Sequence, residues 1–456
     1  MRKHCRAWMP ILFGLLLLSG SACLLDGSQF RYHEKGFLEK LPRAAADYPE
    51  ARFIVLADPH YYHPELGMEG PAFQQYLAMD RKMLTKSKEI LEAAISDIRG
   101  ARADFVLICG DMTKDGSRAS HKAVSRKLAG LDASLPVFVI PGNHDVRNGE
   151  AYRYTPQGKK RVPTVTAKEF QDIYAAFGYE QCLAKDPASL GYLAEPVPGL
   201  WLLALDSCLW RENKRDGHPH VDGRFSPETL EWMESMLIRA KRRGKKVIAC
   251  MHHGLVEHYP ENEKYYGEYV VDNSASVAGL LAAYGVQLVF TGHFHAQDIT
   301  VEKMAPPARD IFDVETGSLL TYPCPYRRVH ISADQNCTIT SRRITTIPSM
   351  GEDFAAYARD FTYKSTIRLA DKTLQKYKIP EAARKRLCPQ IARAYMAHLA
   401  GDEKKPDTVI DSSNTGLMGR LAAFLRKDLI EGWWTDLAPP DNELVIDLAD
   451  GSWRKP

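Results

Sequence analysis

The chain is 456 residues long and 45% hydrophobic, enough for one large domain with an appendage or for two domains. Lys and Arg number 60 against 57 Asp and Glu, and the net charge of +3 is too balanced for the basic face of a nucleic-acid binder. Binding to a nucleic-acid polymer is therefore not expected, and charge names no other partner.

Residues 1–23, MRKHCRAWMPILFGLLLLSGSAC, join a basic start to an apolar run from Ile11 to Leu18 that is too short to span a bilayer. This is the pattern of an export signal. Small residues before Cys23 suit cleavage after Ala22 or lipid attachment at Cys23. The expected location is the outer side of a bacterial cytoplasmic membrane, held by a lipid anchor, or alternatively the medium as a secreted protein. Gly20 departs from the Leu that lipidation signals usually carry. With Cys5 leaving and Cys23 anchoring, the remaining cysteines are odd in number and scattered, which argues against a disulfide framework. No CxxC pair offers a thiolate zinc site.

Residues 24–50 read as an N-terminal linker, exposed between about Gly27 and Tyr48. Apolar runs of strand length follow: FIVLA (53–57), DFVLIC (104–109), VFVI (137–140), LWLLAL (200–205), KVIAC (246–250) and VQLVF (286–290). Each is nearly continuous, as in strands buried on both faces. Helical spacing lies between them, with Leu77, Leu84, Leu91, Ile95 and Ile98 in one stretch. Trp232, Met236 and Leu237 form another, after a start at Ser226. Alternating strands and helices make this an α/β domain. Shorter strands are expected after Val301, to about residue 350. From 351 to 456 a helical period dominates through Ile391, Tyr395, Leu417, Leu421, Phe424 and Leu425. Trp433 and Trp434 point to docking on something apolar, and packing of these helices on the catalytic domain is expected over a cap above the site or a dimer surface.

Five of the strands end in potential metal ligands. FIVLA gives way to Asp58 and His60, VLIC to Gly110-Asp111, FVI to Pro-Gly-Asn143-His144-Asp145, VIAC to His252-His253, and LVF to His293 and His295. The carboxyl ends of strands line the crevice of an α/β sheet, so these side chains should converge. Two histidines at i and i+2 of an extended segment would point the same way and turn Phe294 to the opposite side. The donors are oxygen and imidazole with no thiolate, the set for two adjacent ions such as Mn, Fe, Zn or Co. One carboxylate should bridge ions roughly 3.5–4 Å apart.

Taken in order, DPH, GDMTKDG, GNHD, HHG and GHFH resemble the motifs of the calcineurin-like metallophosphoesterases, the superfamily that includes purple acid phosphatases and class III cyclic nucleotide phosphodiesterases. The resemblance covers about residues 51–300. It implies a four-layer αββα sandwich; with the shorter strands that follow, the catalytic domain is taken as 51–350 and the helical C-terminal region as 351–456. It further implies two divalent or trivalent ions, one held by Asp58, His60 and His295, the other by Asn143, His252 and His293, with Asp111 on both. His252, not His253, aligns with the family's ligand.

A hydroxide bridging two such ions attacks phosphorus in line with the leaving oxygen. His144, next to Asn143 yet outside the ligand set, is the expected acid for that oxygen. Asp145 either orients the His144 ring or caps the turn. Arg147 either meets a phosphate or sits on a solvated turn. His63, His121, His218, His220 and His258 read as mostly solvated. The expected activity is hydrolysis of a small phosphorylated substrate, with a phosphodiester favoured over a monoester. A surface lipoprotein that binds phosphorylated ligands without turnover is the alternative from another class.

Overall fold

The computed structural model describes residues 47–214, 217–306 and 308–456. The export signal at 1–23, its Cys23 anchor and most of the 24–50 linker lie outside them. Tyr48, expected at the exposed end of that linker, is buried, and its backbone N–H donates to Gln335 Oε1 at 2.8 Å.

The strands in chain order are β1 (Ala51–Leu56), β2 (Phe105–Cys109), β3 (Val137–Ile140), β4 (Tyr152–Thr155), β5 (Gly158–Arg161), β6 (Ala184–Lys185), β7 (Tyr192–Val197), β8 (Leu200–Ala204), β9 (Lys246–Cys250), β10 (Leu288–Thr291), β11 (Asp298–Glu302), β12 (Ile311–Glu315), β13 (Pro325–Ile331), β14 (Asn336–Arg343), β15 (Glu443–Asp447) and β16 (Trp453–Arg454). All six apolar runs singled out in the sequence are strands. They fall into two sheets, ordered β16-β15-β14-β13-β1-β2-β3 and β11-β12-β10-β9-β8-β7-β6, with β4 and β5 as a separate hairpin. β1, β2 and β3 run parallel, as do β8, β9, β10 and β12, so their carboxyl ends share one edge of each sheet.

Alternation along the second sheet shows why four layers form. Leu202, Ile248, Cys250, Leu288 and Phe290 join the large core between the sheets, where Phe290 meets Phe53 of the first sheet ring to edge at 5.3 Å. Their neighbours Trp201, Leu203, Val247, Ala249 and Val289 point the other way, into a core completed by helices Pro227–Arg242 and Ser274–Ala283. The first of these helices starts as the sequence indicates, with Ser226 Oγ accepting from the Thr229 N–H and Pro227 in the first turn. On the first sheet, helix Ser87–Gly100 contributes Ile90, Leu91, Ile95 and Ile98. Each such side chain contributes about 1.5–3 kcal/mol by leaving water.

The leucine spacing from Leu77 to Ile98 is not one helix. Helix Pro71–Leu77 ends, residues 78–83 turn, and a short 3-10 turn at Leu84–Lys86 precedes the next helix. That turn buries Lys82, which no apolar period marks.

Four helices, Asp353–Lys376, Glu381–Ala400, Gly416–Leu425 and Lys427–Gly432, make the C-terminal region. Trp433 packs on Tyr395 and Tyr266 at ring distances of 5.1 and 6.1 Å, in a third apolar cluster that also holds Tyr259 and Phe294. The helical period expected at 417–425 is helix Gly416–Leu425, whose Leu417 is 77% and Phe424 75% exposed. One expectation needs correction: the chain does not stay helical to its end, because β15 and β16 return to extend the first sheet. Strands of five and two residues carry too little periodicity to be told from a helix.

Candidate metal centre

The loops after β1, β2, β3, β9 and β10 meet between the sheet edges. Asp58, His60, Asp111, His293 and His295 all have positive φ, from 39° to 77°. For side chains other than glycine this backbone is strained, by roughly 1–2 kcal/mol each. The strain turns each chain sharply, so that its polar side chain points back over the strand ends. His293 and His295 therefore lie on a left-handed turn and not on the expected extended segment, yet both reach the site while Phe294 faces away.

Each of the two central carboxylates is fixed at one oxygen by another motif's backbone. The His293 N–H donates to Asp58 Oδ2 at 2.9 Å, and the His144 N–H donates to Asp111 Oδ1 at 2.8 Å. The other oxygens face the rings. Asp58 Oδ1 lies 3.6 Å from His60 Nε2 and 3.4 Å from His295 Nε2. Asp111 Oδ2 lies 3.5 Å from His60 Nε2 on one side and 3.5 Å from His252 Nε2 on the other. Asn143 Oδ1 is 3.2 Å from His252 Nε2. His293 closes a group with Asp111 and His252, and Asp58, His60 and His295 form another. All seven predicted ligands are thus in one place, with Asp111 between the two groups.

These donors fit cations. Asp58 Oδ1 and His293 Nε2 are buried with no hydrogen-bond partner, and His60 Nε2 lies 3.0 Å from His295 Nε2. Such an arrangement suits lone pairs converging on a shared positive charge. Burial pushes His60 and His293 well below the usual histidine pKa, helped at His60 by the charge of Lys82 and at both by neighbouring histidines, towards the neutral form that ligates. Burial opposes protonation of His252 as well, but Asp111, Asp58 and the Cys109 carbonyl raise it to about 9, so that corner favours positive charge. The carbonyl of Cys109, 2.9 Å from His252 Nδ1, can only accept, which leaves Nε2 of a neutral ring free to ligate.

His253 takes no part. Its Nδ1 meets Ser207 Oγ at 2.7 Å and its Nε2 meets the Val221 carbonyl at 2.8 Å. His144 stands over the centre, with Nε2 4.0 Å from Asp111 Oδ2 and Nδ1 3.4 Å from Asp115 Oδ1. It also closes a third group with His60 and Asp111. Asp145 does not orient its ring. The Asp145 carboxylate accepts from the N–H groups of Met112, Thr113 and Gly142 and from the Thr113 hydroxyl, clamping the loops after β2 and β3 together. Asp115 is the carboxylate beside His144 instead. It is paired with buried Lys114, whose Nζ lies 3.7 Å over the Tyr76 ring and whose pKa burial lowers to about 7.

Sequence reading missed Asp115, Lys114 and Lys82. Asp115 and Lys114 lie within GDMTKDG, but nothing in the spacing separates them from turn residues. Arg147 is exposed, with Nη1 3.5 Å from the Arg211 carbonyl. His121, expected in solvent, is fully buried on helix Arg118–Leu128 between Tyr174 Oη and the Asp145 carbonyl, each 3.0 Å away.

With this geometry in hand, the chain belongs to the calcineurin-like phosphoesterase family, whose profile matches residues 51–297. It is 25% identical over 325 residues to the 3',5'-cyclic adenosine monophosphate phosphodiesterase CpdA of Haemophilus influenzae, covering 68% of this chain and 96% of that one. Human serine/threonine-protein phosphatase CPPED1 is 22% identical over 203 residues, 42% of this chain and 53% of the relative, so the match spans about half of that protein. A solved dimetal phosphatase from Danio rerio superposes with a TM-score of 0.44 at 15% identity, covering 65% of this chain and 96% of that one.

Proposed function

We propose that the chain is an exported phosphoesterase that uses two metal ions, from Mn, Fe, Zn or Co, to hydrolyse a small phosphodiester. The observation that carries this reading is Asp111 Oδ2, equidistant from His60 on one side and His252 on the other. Asp58, His60 and His295 would hold one ion, Asn143, His252 and His293 the other, and Asp111 both. When bound, such ions supply an activated water and neutralise phosphoryl charge.

The chain's own residues supply the rest. The backbone N–H groups of His293 and His144 fix Asp58 and Asp111 before substrate arrives, which removes a reorganisation cost from the reaction. His144, partly open to solvent and beside Asp115, gives its Nε2 proton to the leaving oxygen as the P–O bond breaks. Preference for a diester draws on the Haemophilus influenzae relative, named as a cyclic nucleotide phosphodiesterase. Export draws on the basic start and apolar run of residues 1–23, and a lipid anchor on Cys23.

The test is an assay of purified chain, stripped by chelator and reloaded with Mn, on bis-p-nitrophenyl phosphate and p-nitrophenyl phosphate. Faster turnover of the diester supports the proposal. Turnover of the monoester alone replaces it with a monoesterase, and none of either, with any metal, leaves a phospho-ligand binder.

A further inference from the structure

A second cluster of buried ionisable groups lies where the C-terminal helices meet β11 and β12. Asp298 opens β11, Asp313 and Glu315 lie on β12, and His258 reaches in from the loop after β9. His258, which its sequence context places in solvent, is 2% exposed. Its Nδ1 is 2.8 Å from Asp298 Oδ1, and its Nε2 is 3.2 Å from Asp313 Oδ2 and 3.7 Å from Glu315 Oε2. Across from it stand His398, in the last turn of helix Glu381–Ala400, and Glu403 just beyond that helix. His398 Nδ1 lies 2.8 Å from Glu403 Oε1 and 3.9 Å from Asp298 Oδ2, and both side chains are 1% exposed.

Most of this network is satisfied from within. Asp313 accepts from the Leu255 and Val256 N–H groups and the Thr291 hydroxyl, Glu315 from the Ala296 N–H, and Asp441 from the N–H groups of Ile299 and Asp402. The Arg327 guanidinium donates to the carbonyls of Asp298, Glu315 and Asp441. Some atoms are left over. Glu403 Oε2 is buried with no hydrogen-bond partner, as are His398 Nε2, Asp436 Oδ1 and, on the Asp313 side, His258 Nε2. Burial first, and then the nearby Glu403 and Asp298, raise Asp436 to about 7. The buried carboxyl groups of Asp298, Asp313, Glu315, Glu403 and Asp441 outnumber the basic side chains His258, Arg327 and His398 packed with them. A carboxylate buried without a partner is costly.

The geometry points to a second metal site, with Asp298, His398 and Glu403 as ligands of a divalent first-row cation, Zn2+ or Mn2+, apart from the centre at the strand ends. Their donor atoms all lie within 4.8 Å of one another. Mixed imidazole and carboxylate donors suit these ions. The bond from His258 to the far oxygen of Asp298 holds the ligand in place, as outer partners do at metal sites. Bound there, the ion ties helix Glu381–Ala400 to β11, three residues after His295. The inference does not depend on hydrolysis.

The full chain, stripped by chelator, is reloaded with Zn2+ or Mn2+ alone, desalted, and its metal counted by plasma mass spectrometry. Glu403→Gln keeps an oxygen for His398 but loses the charge, and is expected to hold about one equivalent less than the parent. Asp111→Ala, which weakens the other centre, is expected to keep that equivalent and to melt at a higher temperature with metal than without. Zinc-loaded crystals of the unaltered chain supply a test that needs no variant. An anomalous peak among Asp298, His398 and Glu403 supports the site. Its absence, or equal metal counts in the parent and Glu403→Gln, overturns it and leaves an ordinary His398–Glu403 hydrogen bond.

Discussion

A β-carbon at position 142 would lie 2.1 Å from Asp111 Oδ1, so the turn after β3 and the carboxylate after β2 interlock. Only glycine leaves the room that Asp111 fills. Gly142→Ala is expected to displace Asp111 and to lower kcat/KM on an aryl phosphodiester by about 100-fold or more, since a shift of roughly 1 Å costs that much. Metal content should fall with it while circular dichroism is unchanged. Parent-like metal content and activity would show that the two loops can part without consequence.

His144→Ala should keep its metal and lose turnover by a factor on the order of 100 to 10,000. Asp115→Asn, which removes the carboxylate beside Nδ1, should lose less. Metal analysis separates this role from the alternative in which His144 joins His60 and Asp111 as a ligand. A His144→Ala chain that comes out depleted of metal would favour the ligand.

Asp145→Asn replaces an acceptor of four hydrogen bonds with an amide that turns donors towards donors. The expected loss is about 1–3 kcal/mol of stability, read from the urea midpoint. A midpoint equal to that of the parent would mean that the loops after β2 and β3 hold together without the clamp.

Burial lowers His121 to about 4, and the Asp145 carbonyl only partly opposes this. The native ring stays neutral while the unfolded chain takes up a proton near pH 6.5. Stability should therefore fall as pH drops from about 6.5 to about 4, by up to roughly 3 kcal/mol, and level off below. His121→Gln should flatten that slope. An unchanged slope in urea melts across this range would assign the acid sensitivity elsewhere.

Leu417 and Phe424 have the spacing of a core face but stand in solvent. Replacing both with Ser is expected to change stability by less than about 0.5 kcal/mol. A larger loss in thermal or urea melts would mean that this face is covered in solution.

The strands and the metal-ligand motifs were legible because each depends on local chemistry. A continuous apolar run such as Val137–Ile140 can hardly be anything but buried, and the polar residues that end five such runs have no reason to recur unless they meet. What escaped was set by tertiary packing. His121 and His258 have polar neighbours in sequence, yet apolar and charged partners from distant segments enclose them. Asp145 could not be assigned from GNHD, because its hydrogen-bond partners at Met112 and Thr113 come from another strand's loop. The period of Leu417 to Leu425 was real, but periodicity reports a face and not what covers it.

Phe294 sits between His293 and His295, and its ring is set among Tyr259, Tyr266, Tyr269, Tyr395 and His398. Two teeth of the centre therefore share one root, and that root is planted partly in the C-terminal helices, which supply none of the seven candidate ligands of this centre. Loosening helix Glu381–Ala400 would let both histidines swing together while Asp58, Asp111 and Asn143 kept their footing on the first sheet. The centre would come apart on one side only.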